Sequence, residues 1–220
     1  MPARSAVPVL APLLRVPLGL VAGFAAVVVV LVGAMYAGHT QPGAVDRWFV
    51  LPTDDSVRGA WRGVALAIDF WGEPAGSALL ITAGVAGCLL RRRPRAAALL
   101  VAGAAVAVVA TTLLKYVVGR TIHGPDNLSY PSGHTAFATA LAVVVALIVS
   151  GWRGLGRTAG TVLVLAVALA AGAAMGWAQV SLGAHYPTDV LAGWCTALAV
   201  VPATAWCVDR VADSGRRGRR

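Results

Sequence analysis

The chain has 220 residues, of which 58 % are hydrophobic and 12 % are charged, and its formal net charge is +9. A chain this apolar and this poor in charge is not a soluble globular domain, and its composition indicates an all-α integral membrane protein. Its three cysteines have neither the spacing of a disulfide framework nor that of a metal site, and no nucleic-acid-binding motif accompanies the positive charge.

Six apolar segments are long enough to cross a bilayer. A spanning helix needs about 20 residues, because a rise of about 1.5 Å per residue must cross a hydrocarbon core about 30 Å thick. The second segment is the shortest, since Glu73-Pro74 opens it and an arginine cluster closes it. The sequence therefore predicts a six-transmembrane helix bundle in a single domain, residues 1–213, followed by a basic cytoplasmic tail, residues 214–220. The predicted spans are residues 17–37, 74–90, 96–118, 132–150, 158–177 and 188–208.

One long stretch, residues 38–73, separates the first two predicted spans. From Asp54 to Trp71 this stretch mixes apolar and charged side chains in a way that suits a helix lying on the membrane surface. Its tryptophans are typical anchors at the level of the lipid headgroups. We therefore expect an interfacial outer helix to accompany the bundle.

The basic residues predict the orientation of the bundle, because loops rich in Lys and Arg remain in the cytoplasm. With both termini cytoplasmic, most of the arginines fall on the inner side, and both motifs described below fall at the extracytoplasmic face. The net charge then reflects membrane topology and contact with anionic lipid, and no nucleic acid is expected as a partner. The inner arginines are Arg4, Arg15, Arg91, Arg92, Arg93, Arg95, Arg153, Arg157, Arg210, Arg216, Arg217, Arg219 and Arg220.

The fourth predicted span begins with the run Pro131-Ser132-Gly133-His134. Pro131 disfavours helix in the residue before it, Ser132 is a preferred N-cap, and a glycine lets an oxyanion approach the backbone closely. The N–H groups and the dipole at a helix start favour a phosphate, beside which His134 would lie. Taken alone, the run is more typical of a capped helix with an incidental histidine.

A second histidine, His185, stands just before the sixth predicted span, and Asp189 follows it by four residues. A carboxylate on one imidazole nitrogen fixes the tautomer and leaves the other nitrogen free to attack. Alternatively, Asp189 merely complements the dipole of the helix that it begins.

Lys115 is the one charged residue in the interior of the third predicted span, and Arg120 follows just beyond the end of that span. A lysine in this position either extends to the headgroups or marks a site. We expect both cations to approach the same anion.

The order of these residues resembles the type 2 phosphatidic acid phosphatase family, which is related to vanadium haloperoxidases. The resemblance covers roughly residues 60–208 and is carried by the lysine, the glycine-arginine pair, the run Tyr-Pro-Ser-Gly-His-Thr and residues 182–194. It implies that His185 is a nucleophile that forms a phosphohistidine, that Asp189 orients it, and that His134 protonates the leaving oxygen. No metal or other cofactor is implied.

The resemblance also implies that Lys115 and the backbone at Ser132 and Gly133 hold the phosphoryl oxygens, where charge must be stabilised. Two positions depart from the family pattern, because Ile122 and Gln179 stand where the family has arginines that bind phosphate. We expect Arg120 to compensate for the first loss. For the second, we expect Gln179 to donate a neutral hydrogen bond.

The expected function is a membrane lipid phosphatase that hydrolyses a phosphomonoester or pyrophosphate on a lipid, with polyprenyl phosphates ahead of glycerolipid phosphates. A lipid phosphotransferase remains open, as does a non-catalytic lipid-binding or lipid-translocating protein, which the two departures favour. The Ala-, Val- and Arg-rich composition is typical of a bacterium with a GC-rich genome. Together with the predicted spans, this leads us to expect a multi-pass protein of the inner (plasma) membrane. The expected partners are the lipid phosphate and the bilayer, and the sequence leaves the oligomeric state open.

Overall fold

The computed structural model describes residues 8–217, with the side chains of residues 51–56 and 216–217 left undescribed, and over this range the chain is helical. A short 3₁₀ turn, Pro12–Leu14, leads into the first helix. The α-helices of the described range are α1 (Arg15–Met35), α2 (Ala44–Ser56), α3 (Ala60–Asp69), α4 (Pro74–Leu90), α5 (Pro94–Val118), α6 (Gly133–Arg153), α7 (Arg157–Ser181) and α8 (Pro187–Arg217).

Five of the described helices are long and apolar enough to cross a membrane, namely α1 with its 3₁₀ turn, α5, α6, α7 and α8. Helix α4 coincides with the second predicted span, but its 17 residues are short for a bilayer. It reaches the required length only together with α3, from which it is bent by 55°. All six predicted apolar helices are therefore present, and five of them qualify as spans by themselves.

The stretch from Asp54 to Trp71, where an interfacial helix was expected, does not form a single helix. Helix α2 ends at Ser56, and α3 begins after Gly59, whose φ of +54° lies in the left-handed region that a right-handed helix cannot include. A second break follows α3, and Pro74 then occupies the first turn of α4, where its missing N–H costs nothing.

The last helix is longer than predicted. Helix α8 continues to Arg217, so residues 214–217 of the predicted tail extend the helix, while residues 218–220 lie outside the described range, as does Arg4. Pro202 lies inside α8.

Small residues let the helices approach closely. A Cβ on Gly172 of α7 would lie 2.3 Å from the indole of Trp194 on α8, so only glycine fits there. The same indole donates a hydrogen bond to the carbonyl of Ala168 across 2.9 Å. Because α7 and α8 are locked together in this way, the end of α7 and the beginning of α8 are held in a fixed relation.

Antiparallel packing brings the functional parts of the chain to one end of the bundle. The end of α5, the start of α6, the end of α7 and the start of α8 all lie there, and the junction between α3 and α4 covers them. The arginines between α4 and α5 and those around the end of α6 lie at the other end, where Arg91 and Arg93 both stack on Trp152.

Candidate active site

A pocket of about 340 Å³ opens where these helix ends meet. His134, His185, Lys115 and Gln179 line it together, so four of the residues singled out from the sequence share one wall. The other lining residues are Arg62, Leu66, Asp69, Glu73, Asn127, Leu128, Leu182 and Ala184.

His185 lies in the loop between α7 and α8, with its side chain 10 % exposed. Its Nδ1 is 3.8 Å from Oδ2 of Asp189, which is within ion-pair range but longer than a hydrogen bond. Burial lowers the pKa of His185, Asp189 opposes this shift, and the charges of Lys115 and His134 add to it. The neutral imidazole, the form able to act as a nucleophile, is therefore favoured.

His134 lies in the first turn of α6, and its Nε2 faces two carboxylates from the α3–α4 junction. Oδ1 of Asp69 is 3.6 Å away, and Oε1 of Glu73 is 3.4 Å away. The junction lies directly on the imidazole, since a Cβ on Gly72 would come within 2.2 Å of Cδ2 of His134. Neither carboxylate was anticipated from the sequence, although their spacing of four residues just ahead of an apolar span was a usable signal.

Ser132 is the N-cap of α6, as predicted, because its Oγ accepts a hydrogen bond from the amide of Thr135 at 3.3 Å. Its own amide donates to the carbonyl of Asp189 at 3.0 Å, and its side chain is fully buried. The amide of Ser132 therefore joins the starts of α6 and α8 and does not face the pocket. Gly133 is half-buried at the first position of α6.

Arg120 is fully buried behind the pocket. Its guanidinium donates to Oδ1 of Asp189 at 2.7 Å, to Oγ1 of Thr188 at 2.6 Å and to Oδ2 of Asp46 at 2.5 Å. From the sequence, Arg120 was expected to contact the phosphate of the substrate. In the structure its guanidinium lies behind the pocket and does not line it. Two buried carboxylates compete for its charge, and leaving them unpaired would be costly.

The positions where the family pattern has arginine are occupied differently here. Ile122 is buried, and Gln179, which is 1 % exposed, donates from Nε2 to Oδ1 of Asp69 at 2.5 Å. Lys115 reaches the pocket and donates to the carbonyl of Leu128. Arg62 of α3, which the sequence analysis did not single out, brings a second cation to the pocket wall.

One set of side chains in the described part of the chain could hold a metal ion. A ligand atom from each of Asp69, Glu73 and His134 lies within 4.8 Å of the others, and carboxylate and imidazole are common ligands of divalent cations. The expectation of a metal-independent reaction therefore stays a prediction, and chelation is a direct test of it.

An apolar groove of about 320 Å³ adjoins the pocket. Trp71, which lines the groove, lies between Asp69 and Glu73 in the chain, and Phe137 continues α6 by one turn beyond His134. A hydrocarbon chain can therefore lie in the groove while a polar group attached to it occupies the pocket. Its remaining lining residues are Leu80, Ala138, Leu141, Ala142, Val145 and Val167.

Comparisons with known proteins bear on the family and the fold of the chain. A family model described as the PAP2 superfamily matches residues 95–213. The fold is similar to the crystal structure of the first transmembrane PAP2 type phosphatidylglycerolphosphate phosphatase from Bacillus subtilis, with a TM-score of 0.67 over 88 % of this chain and 96 % of that chain. The two sequences are 18 % identical, so this similarity shows a shared fold. Among curated proteins, none matches the sequence.

Proposed function

The chain belongs to the PAP2 superfamily, and from this we propose that it is a membrane lipid phosphatase that hydrolyses a lipid phosphomonoester or pyrophosphate through a phosphohistidine. The observation that carries the proposal is the meeting of His185, with Asp189 behind it, and His134 in one pocket. These residues supply a nucleophile, a carboxylate to orient it and a proton donor.

In the first step, Nε2 of His185 attacks phosphorus while the bond from phosphorus to the leaving oxygen breaks. Protonated His134 gives its proton to that oxygen, and the lipid alcohol or lipid phosphate departs. The Nδ1 proton of His185 remains facing Asp189. In the second step, water attacks the phosphohistidine, neutral His134 takes a proton from the water, and inorganic phosphate leaves with both histidines restored.

The surroundings of the two histidines support these roles. Asp69 and Glu73 place two carboxylates near Nε2 of His134, and their negative charge would attract the positive charge that the imidazole carries as a proton donor. Lys115 and Arg62 provide positive charge for the phosphoryl oxygens. Nε2 of Gln179 already donates to Asp69 and also lies 4.0 Å from Sδ of Met175, so a hydrogen bond from Gln179 to the phosphate would require the amide to give up one of these contacts.

The apolar groove beside the pocket supports a lipid substrate, because a hydrocarbon chain there would leave the phosphate at the histidines. Polyprenyl phosphates remain our first candidates and glycerolipid phosphates our second. The Bacillus subtilis protein is described as a phosphatidylglycerolphosphate phosphatase, so that lipid belongs in any substrate panel.

We further propose that α3 and α4 together form a bent sixth span or a surface helix followed by a short span. Both termini would be cytoplasmic and the pocket extracytoplasmic, in the plasma membrane. The arginines between α4 and α5 support this topology, because they lie at the end of the bundle remote from the pocket. The exposed indoles of Trp61 and Trp71 suit the headgroup region.

A non-catalytic lipid-binding or lipid-translocating protein is the second candidate. It is favoured by the loss of both phosphate-binding arginines, since Ile122 is apolar and buried and Gln179 is already bonded to Asp69. Such a protein would bind lipid phosphates without turnover.

The deciding experiment measures inorganic phosphate released by the purified full-length protein in detergent. The panel contains undecaprenyl pyrophosphate, phosphatidic acid and phosphatidylglycerol phosphate. We expect wild type to release phosphate from at least one lipid, and His185→Ala to release none while keeping the Tm of wild type. His39→Ala, which removes an exposed histidine outside the pocket, is the matched control and should behave as wild type.

Binding without release would favour the second candidate. Phosphate found on an acceptor alcohol instead of in solution would identify a phosphotransferase. Equal release by wild type and His185→Ala would contradict the proposed mechanism.

A further inference from the structure

Behind the pocket, Asp46, Arg120 and Asp189 form one buried ion-pair network. We propose that Asp46 and Arg120 are positioning residues: Asp46 fixes the guanidinium of Arg120, and Arg120 fixes the carboxylate of Asp189 that faces the nucleophile His185. This inference rests on the proposed function. It assigns a part in the reaction to α2, which lies outside the residues matched by the family model.

Asp46 is fully buried, and both of its oxygens are occupied. Oδ1 accepts hydrogen bonds from the amide and the hydroxyl of Thr188, at 3.0 and 2.8 Å. Oδ2 accepts from the amide of Gly43 at 3.0 Å and from Arg120. With four donors on one carboxylate, Asp46 cannot rotate, and it fixes α2 to the start of α8.

The guanidinium of Arg120 is held by two rings and by both of its terminal nitrogens. Its planar group lies between the rings of Tyr36 and Tyr186, at 4.2 and 4.5 Å from their centres. Its two terminal nitrogens point to different carboxylates, one to Asp46 and one to Asp189. A lysine offers a single point charge and could not bridge both carboxylates while stacking between two rings.

Asp189 divides its two oxygens between structure and chemistry. Oδ1 accepts from Arg120, and Oδ2 accepts from the amide of Tyr186 at 3.0 Å and faces His185. Arg120 therefore stops the carboxylate from turning away from the imidazole. The network of two carboxylates and one guanidinium also carries a surplus negative charge, which stabilises the cationic imidazole ring that forms when His185 attacks.

The charged and titratable groups around His185 include Asp189 from α8, Lys115 from α5 and His134 from α6, and Arg62, Asp69 and Glu73 line the same pocket from α3 and the α3–α4 junction. Burial already lowers the pKa of His185, and Asp189 limits that effect. Neutralising Asp46 removes one negative charge from the network and lets Arg120 act more strongly on Asp189. Both consequences lower the pKa of His185 further, so the acidic limb of activity should move to lower pH.

The test is Asp46→Asn in the full-length protein in detergent, assayed by phosphate release from the best substrate of the panel above. We expect kcat to fall about tenfold with KM near that of wild type. We expect the acidic limb of kcat/KM to move down by about half a pH unit. Arg120→Lys should also lose kcat, because lysine keeps the charge but not the bridge.

Asp209→Asn is the matched control. Asp209 is also a buried aspartate that accepts two backbone N–H bonds and an arginine, but it lies near the other end of α8. It should lower stability and leave both kcat and the pH profile as in wild type. A loss that was only structural would make Asp46→Asn behave like this control.

A folded Asp46→Asn protein with the kcat and the acidic limb of wild type would overturn the inference alone. If this variant does not fold, Thr188→Val replaces it, since the change removes the hydroxyl between Arg120 and Asp46 while keeping the side-chain volume. Thr188→Val should lower kcat on a smaller scale, because it loosens the bridge without removing a charge, and an unchanged kcat there would overturn the inference too. A wild-type protein that releases no phosphate would overturn the proposed function first, and this inference with it.

Discussion

Two buried arginine–aspartate clusters lie at opposite ends of the bundle and differ in what they touch. In each, one arginine beside an end of α5 pairs with two aspartates, of which at least one belongs to α8. After the topology that we propose, we call Arg95, Asp209 and Asp213 the inner cluster, and Arg120, Asp46 and Asp189 the outer cluster. The two α8 aspartates nearest the arginines are separated by on the order of 30 Å of helix.

The inner cluster connects the N-terminal segment to α8. Asp209 accepts hydrogen bonds from the amides of Val9 and Leu10, both at 3.0 Å, and so holds the N-terminal segment to α8. Its second aspartate, Asp213, is 59 % exposed. In the outer cluster both aspartates are fully buried, and one of them faces His185. The same ion pair therefore serves stability alone at one end and, by our proposal, stability and reactivity at the other.

Asp189→Asn should have the largest effect. Asparagine keeps the shape but cannot stabilise a cationic imidazole, so we expect kcat to fall by about 10³ to 10⁴. Asp209→Asn, the same exchange at the inner cluster, should leave kcat unchanged and lower the Tm. Phosphate release and thermal unfolding of both variants check this. Equal losses of kcat at the two positions would remove the functional distinction between the clusters.

Removing the arginines should come next. Arg120→Ala leaves two fully buried carboxylates without their cation, and we expect a loss of about 3–5 kcal/mol in stability. Arg95→Ala should cost less, because Asp213 is largely solvated. Chemical unfolding in detergent measures both. A larger loss for Arg95→Ala would mean that the burial of the aspartates does not determine how much each cluster contributes to stability.

The pH dependence of the reaction should respond to the outer cluster only. Burial lowers the pKa of His185, so the attacking imidazole stays neutral below the pH at which a free histidine is protonated. We expect the acidic limb of kcat/KM for wild type to lie below the ordinary pKa of histidine, which is about 6.5. Profiles of wild type and Asp209→Asn should coincide, and a limb above that value would contradict the burial of the nucleophile.

Much of the architecture was predictable because apolar length and flanking charges are local signals. The second predicted span coincides with α4, whose first turn is marked by Pro74 and whose end is marked by Arg91. Ser132 was identified as an N-cap from its position alone, and the structure confirms it. The break at Gly59 was missed, since the charged and apolar pattern continues on both sides of it.

The site was predictable only in part. Both histidines, Lys115 and Gln179 reach one pocket, as the motifs indicated. The direction in which Arg120 points was not encoded locally, because Asp46, which holds it, is 74 residues away in the chain. Asp69 likewise meets Gln179 across 110 residues. Pairings at such separations leave no periodic pattern, and only the packed fold brings them together.

Chelation should have no effect on turnover. The reaction proposed here uses two histidines and no metal, so EDTA should leave phosphate release by wild type unchanged. A divalent cation could nevertheless bind to Asp69, Glu73 and His134. These residues lie at the end of the bundle that holds the outer cluster. Loss of activity in EDTA that a divalent cation restores would show that these three residues bind a metal ion.

Among the substitutions, the smallest effect on stability is expected for Asp213→Asn, which tests the more exposed ion pair of the inner cluster. The carboxylate is mostly exposed, and exposed ion pairs contribute less than about 1 kcal/mol because water and salt screen them. We therefore expect a Tm close to that of wild type, with a difference that shrinks further at high salt. Thermal unfolding at low and high salt measures it. A loss as large as that of Asp209→Asn would show that Arg95 depends on both aspartates, and that the inner cluster is as tightly coupled as the outer one.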